Sequence, residues 1–82
     1  MNTKAKGSSA ERELVHLFWR TESWACFRAA GSGSTKYPCP DLIAGNNLRK
    51  LAIEVKNPGK DYKHLTKEQI EELQQFATTF GA

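Results

Sequence analysis

Two carboxylates and an ammonium bracket one stretch of the chain, PDLIAGNNLRKLAIEVK from Pro40 to Lys56, with Asp41 at its start and Glu54 and Lys56 at its close. Carboxylate oxygens are hard ligands of the kind that hold a divalent cation. Such a cation activates water and offsets the charge that develops on a phosphodiester under attack. A nearby ammonium adds electrostatic stabilisation and orients the nucleophile. The bland alternative is a surface ion pair between Glu54 and Lys56 on an exposed strand. The joint arrangement with Asp41 favours the chemical reading, provided the fold brings the three groups together.

A β-hairpin would do so. Pro40 to Ala44 reads as one strand and Lys50 to Lys56 as its partner, with Gly45, Asn46 and Asn47 tolerating the backbone angles of a tight connection. With Asn46 to Arg49 as the loop, Gly45 pairs with Lys50, Ile43 with Ala52 and Asp41 with Glu54. Lys56 falls on the same face, because strand side chains repeat every second residue. Directly opposed side chains have Cβ atoms roughly 5 Å apart, so two like charges placed so are destabilising unless something sits between them. Leu51, Ile53 and Val55 form the opposite face, expected to be buried against helices.

The rest of the chain must supply those helices. Eighty-two residues, 39% hydrophobic and 26% charged, make one small globular domain over residues 1–82 whose core gives marginal stability. No apolar run reaches the roughly 20 residues of a membrane span, and Met1 to Ser9 lacks a signal-peptide core, so a cytoplasmic protein with no membrane partner is expected. Cys26 and Cys39 form no CxxC pair and read as unpaired thiols. The net charge of +3 comes from residues 1–40, where six Lys and Arg face three acids. A basic half suits a polyanion, weakly when the excess is this small.

Residues 1–7 read as a flexible basic arm whose Lys4 and Lys6 can touch phosphate. A helix is expected from Ser8 or Ser9 to about Arg20, with Leu14, Val15, Leu17 and Phe18 on its apolar face. Ser8 and Glu11 fit the S-x-x-E capping box, which explains an acid one turn before that face. Trp24 to Ala29 reads as a strand beside the hairpin. Ala30 to Tyr37, AGSGSTKY, lacks the GK[ST] order of a nucleotide-binding loop, which excludes a nucleotide cofactor. It reads either as a plain connection or as a mobile flap whose hydroxyls, amides and Lys36 reach a DNA backbone. After the hairpin a polar crossing leads to a helix with a Thr66–Gln69 capping box, a Leu65–Ile70 staple, a buried stripe of Ile70, Leu73, Ala77 and Phe80, and Gly81 as its C-terminal cap.

KGSSAERELV at Lys6 to Val15, FRAAGSGS at Phe27 to Ser34, PDLIAGN at Pro40 to Asn46, AIEVK at Ala52 to Lys56 and the helix KEQIEELQQFATTFG together resemble the archaeal Holliday-junction resolvases, a branch of the PD-(D/E)xK nucleases. The core motif is shared by many nucleases, whereas AERE with RAAGSGS is far more specific. The resemblance implies an α/β, restriction-endonuclease-like fold, a mixed β-sheet flanked by helices in the order α-β-β-β-α. It implies a structure-selective endonuclease of recombination and repair that resolves four-way DNA junctions. Asp41 and Glu54 would bind Mg2+, with Mn2+ as a substitute, Lys56 would position the attacking water, and Glu11 would join the acidic cluster. Arg12 and Arg28 match basic residues near substrate, and Ser32 or Ser34 matches a flap serine. Such resolvases are homodimers, one active site per protomer. Trp19 and Trp24 suit either such an interface or the core. The family continues into further strands that this chain lacks. Two alternatives are a VRR-type repair nuclease of the same fold, disfavoured by the AERE helix, and a non-catalytic DNA-binding module.

Overall fold

A computed structural model describes residues 3–29, 35–56 and 66–82, with the backbone alone for residues 3–8. The order is helix α1 (Thr3–Arg20), strands β1 (Ala25–Arg28), β2 (Leu42–Gly45) and β3 (Lys50–Ile53), then helix α2 (Lys67–Phe80). This is the expected α-β-β-β-α sequence. The three strands form one antiparallel sheet in the order β1-β2-β3, with α1 against β1 and β2 and α2 against β3.

The hairpin register is the expected one: Gly45 faces Lys50 and Ile43 faces Ala52. Its turn is closed differently. Among the described non-glycine residues only Glu22 has a positive φ, 64°, so Asn46 and Asn47 do not serve by adopting left-handed backbone. Asn46 instead folds its side chain over the turn, its Oδ1 accepting the amides of Leu48 at 2.8 Å and Arg49 at 2.7 Å, while its own amide donates to the Arg49 carbonyl at 2.9 Å. A Cβ at Gly45 would lie 2.8 Å from Cδ of Lys50, a contact that the flexible lysine chain relieves by shifting.

Alternation along the strands decides the core. Leu42 and Ala44 are fully buried, and their partners Ile53 and Leu51 and the neighbouring Val55 are half-buried around them with Leu14, Val15, Phe18 and Trp24. Cys26, opposite Ala44, is buried with them at 5% exposure. Phe18 and Trp24 pack as a tilted ring pair with centroids 5.5 Å and planes 52° apart, and Trp24 packs against the core. Trp19 is 55% exposed. Its indole N–H donates to the Cys26 carbonyl at 3.0 Å. The bond from the Ala29 amide to the Asp41 carbonyl fixes the alternation of β1, in which the polar backbone groups of Cys26 point away from β2. Trp19 therefore covers part of the outer edge of the described sheet.

Four expectations about the helices change. The backbone is helical from Thr3, so residues 3–7 belong to α1 rather than to an arm. Ser8 and Ser9 then lie inside the helix, and the Ser8–Glu11 pair is not its N-terminal cap. Leu17 is 47% exposed and lies outside the core. In α2 the Thr66–Gln69 capping box is formed in both directions and Gly81, at φ 89°, caps the C-terminus through its amide to the Ala77 carbonyl. None of its residues is buried, however, and Ile70 and Phe80 are exposed. Among the described elements α2 packs only on β3; Leu73 and Ala77 are half-buried, and the two ends of the stripe lie in solvent. The Leu65 half of the staple lies outside the described residues.

Candidate active site

Asp41 and Glu54 stand one step beyond the last paired residues, Leu42 and Ile53, at one end of the sheet. Simple continuation of the ladder would set them opposite each other. Instead the Asp41 amide donates to the carbonyl of Ile53 at 3.0 Å, so Asp41 and Leu42 share one partner residue, the geometry of a β-bulge. The same shift lets Oδ2 of Asp41 accept the Val55 amide at 2.9 Å. A backbone donor from the segment that follows β3 thus anchors the Asp41 carboxylate.

Both side chains line one open cavity of about 320 Å³. Glu54 titrates above its ordinary value, first because it is partly buried and next because of the charge on Asp41; Lys56 pulls it back down, Glu11 raises it, and a hydrogen bond with Asp41 raises it further. The convergence required by the sequence reading is therefore present, through a bulge and a side-chain anchor rather than through a flat pair. Lys56 is exposed, close enough to act on Glu54.

Glu11 reaches the same region from α1. Its Oε1 accepts the Nε–H of Arg28 at 3.0 Å, bridging α1 to the end of β1. That bond explains why an acid sits one turn before the apolar face, where the sequence suggested a cap. Among the described residues no three His, Cys, Asp or Glu side chains converge as a metal-binding group; the donors that share the cavity are the carboxylates of Asp41 and Glu54, with Glu11 near enough for its charge to act on Glu54. Those donors suit a hard divalent cation, which binds carboxylate oxygens and can keep several waters. They are hard oxygens, they repel each other when both are charged, and the open cavity leaves room for water and a phosphate.

Of the other expected residues, Arg12 and Lys36 are exposed. Arg28 is held by Glu11. Ser32, Ser34 and most of the flap lie outside the described residues, as do the side chains of Lys4 and Lys6. The cavity also takes in residues that the sequence did not assign to the site: Tyr37 and Cys39 from the approach to β2, and Gln69 and Glu72 from α2. Their places depend on α2 docking beside β3, a contact between distant segments. The i, i+3 spacing of Gln69 and Glu72 puts them on one helix face but does not say which wall that face becomes.

Residues 2–82 match the family model described as archaeal Holliday junction resolvase (Hjc). The crossover junction endodeoxyribonuclease Hjc of Archaeoglobus fulgidus is 43% identical over 79 residues, covering 96% of this chain and 57% of that protein. The protein of the same name from Methanocaldococcus jannaschii is 42% identical, covering 93% and 53%. The crystal structure of A. fulgidus Hjc, a Holliday junction resolvase, superimposes with a TM-score of 0.81 at 42% identity, over 90% of this chain and 59% of that one. The chain spans just over half the length of these relatives.

Proposed function

The chain belongs to the archaeal Holliday junction resolvase family, and from that membership we propose that its site is that of a divalent-metal-dependent endonuclease that cuts four-way DNA junctions by hydrolysing a phosphodiester. The observation that carries the reading is the convergence of Asp41 and Glu54 in one open cavity, with Glu54 holding its proton more tightly because of burial and of its neighbour. Such a pair is an electrostatic cost that a dication removes.

Asp41 and Glu54 would hold Mg2+, or Mn2+ in its place, which supplies Lewis acidity toward the phosphate and a more acidic water. The Val55 amide keeps Asp41 in its ligating orientation. Lys56 directs its ammonium to the attacking water and to the charge that grows on the phosphate oxygens. Glu11 acts through Arg28, holding the guanidinium at the edge of the site, where it meets a neighbouring phosphate. Lys4, Lys6, Arg12 and Lys36 add phosphate contacts, and Ser32 or Ser34 adds a flap hydroxyl to the site. The chain contributes a single nuclease domain to a protein that works on DNA inside the cell.

The partner is a second copy in the intact protein, since two symmetric cuts need two sites. The exposed apolar ends of the α2 stripe, Ile70 and Phe80, support an uncovered surface of that kind. No helix among the described residues is long and apolar enough to cross a membrane.

The test compares a synthetic four-way junction with linear duplex, with and without Mg2+. Mg2+-dependent nicking of the junction, lost in Asp41→Ala and Glu54→Ala while binding survives, is the expected result. Binding with no cleavage in any divalent cation would make the chain a DNA-binding module instead.

A further inference from the structure

We propose that Tyr37 is a substrate-contact residue whose ring stacks on a base opened at the branch point, next to the phosphate that enters the Asp41–Glu54 cavity. The inference rests on the function proposed above and deepens it, assigning part of the preference for branched over linear DNA to one side chain.

Tyr37 is 71% exposed, yet it lines the same cavity as the two acids. The ring pairs formed among the described residues, Phe18 with Trp24 and Phe76 with Phe80, leave it out. An aromatic ring this open forfeits the burial that ordinarily justifies it. Its place is nevertheless well defined. The Tyr37 amide donates to the Thr35 hydroxyl at 3.2 Å. Pro38 restricts the Tyr37 backbone to extended angles, and the fully buried Pro40 ties the segment to the core immediately before Asp41. The backbone that carries the ring is therefore tied to Asp41 through three intervening residues, two of them prolines.

The surroundings select the ligand. Asp41, Glu54 and Glu72 line the cavity and Lys36 adjoins the ring in sequence. That polar setting is unsuited to an apolar protein partner and suited to a nucleotide, which offers a phosphate for the cation and a flat face for the phenol. Stacking on aromatic side chains is sequence-tolerant, because every base has a π-face. In continuous duplex both faces of each base are already covered by neighbours. At a branch point the arms stack pairwise across the strand exchange, and opening that one step on binding frees a base face without breaking a base pair. Tyr37 thus adds affinity on a junction and none on linear DNA.

The experiment uses Tyr37→Leu, which keeps apolar bulk without a ring, and Tyr37→Phe, which keeps the ring. Binding to a four-way junction and to linear duplex is read in Ca2+, and cleavage in Mg2+. Tyr37→Leu is expected to weaken junction binding at least about fivefold, the lower end for a lost base–aromatic stack, with duplex binding unchanged. Its salt dependence should match that of the wild type, because no phosphate contact is removed. Tyr37→Phe should stay within about twofold of the wild type. A 2-aminopurine at the branch point should change fluorescence on binding the wild type and the Phe variant but not the Leu variant. Unchanged junction affinity in Tyr37→Leu, an equal loss on both substrates, or a surviving 2-aminopurine response would each overturn the proposal. A wild type that nicks no junction in any divalent cation would instead refute the enzymatic reading, and the binding arms would still decide the role of Tyr37.

Discussion

Replacing Asp41 by Asn should make the metal-free protein more stable while abolishing cleavage. Two carboxylate charges about 4 Å apart repel by about 1 kcal/mol at the dielectric of water and about 4 kcal/mol at an effective dielectric of 20. Glu54 is only half-buried, so solvent screening puts the cost near the lower figure. Asparagine removes one charge and keeps an oxygen for the Val55 amide, giving back about 0.5 kcal/mol of charge-assisted bonding. The net gain of roughly 0.5–1 kcal/mol corresponds to a rise in Tm of about 2–8 °C for a domain of this size. The pH dependence has a definite sign. A carboxyl group whose pKa is raised on folding above its ordinary 4.5 contributes stability that is present below that value and is lost as pH climbs through the folded pKa. The advantage of Asp41→Asn should therefore be absent at roughly pH 4 and full at roughly pH 8. On the proposed metal role of Asp41, divalent cation should reverse the order, since at 100 times its Kd it would stabilise the wild type by about 2.7 kcal/mol and would lose a ligand in the variant. Circular-dichroism melts at both pH values, in EDTA and in Mg2+, measure all four quantities. An Asp41→Asn protein less stable than wild type in EDTA at the higher pH, or one that keeps the full Mg2+ shift, would refute the reasoning.

Three further outcomes follow from the fold. Leu42→Ala should cost about 2–5 kcal/mol, the range for emptying a fully buried site, and in so small a core this should lower the urea midpoint enough to unfold much of the protein at 25 °C. Thr66→Ala should cost about 1 kcal/mol by removing the α2 capping box, seen as a lower Tm with Mg2+ binding by titration calorimetry unchanged. Cys26, whose thiol is pushed above its usual range by burial, should react with a thiol-specific disulfide reagent much more slowly than Cys39; equal rates in the folded protein would mean that the core around Cys26 opens freely.

Local rules reached the hairpin and α2 because both are dictated by neighbours in sequence. The spacing from Gly45 to Lys50 sets the register whatever lies around it, and Thr66 with Gln69 needs only its own backbone. The same rules failed where a local partner competes with a distant one. Glu11 can cap a helix that starts at Ser8 or bridge to Arg28 across 17 residues, and the helix began earlier, at Thr3, leaving the bridge. The α2 stripe has the spacing of a buried face, but burial depends on what is packed against it, and among the described elements only β3 is, leaving Ile70 and Phe80 exposed.

What the order of residues determined by itself is the chemistry at hand: which side chains are acids, that strand periodicity sends Asp41 and Glu54 to one face, and that AERE with RAAGSGS resembles a resolvase. What only the tertiary structure decided is the use made of those groups. The bulge at Asp41, the Val55 amide on its carboxylate, the Glu11–Arg28 bridge and the arrival of α2 beside Tyr37 all join segments distant along the chain. Their geometry follows from close packing around Leu42 and Ala44, a property of the folded whole that no window of sequence contains.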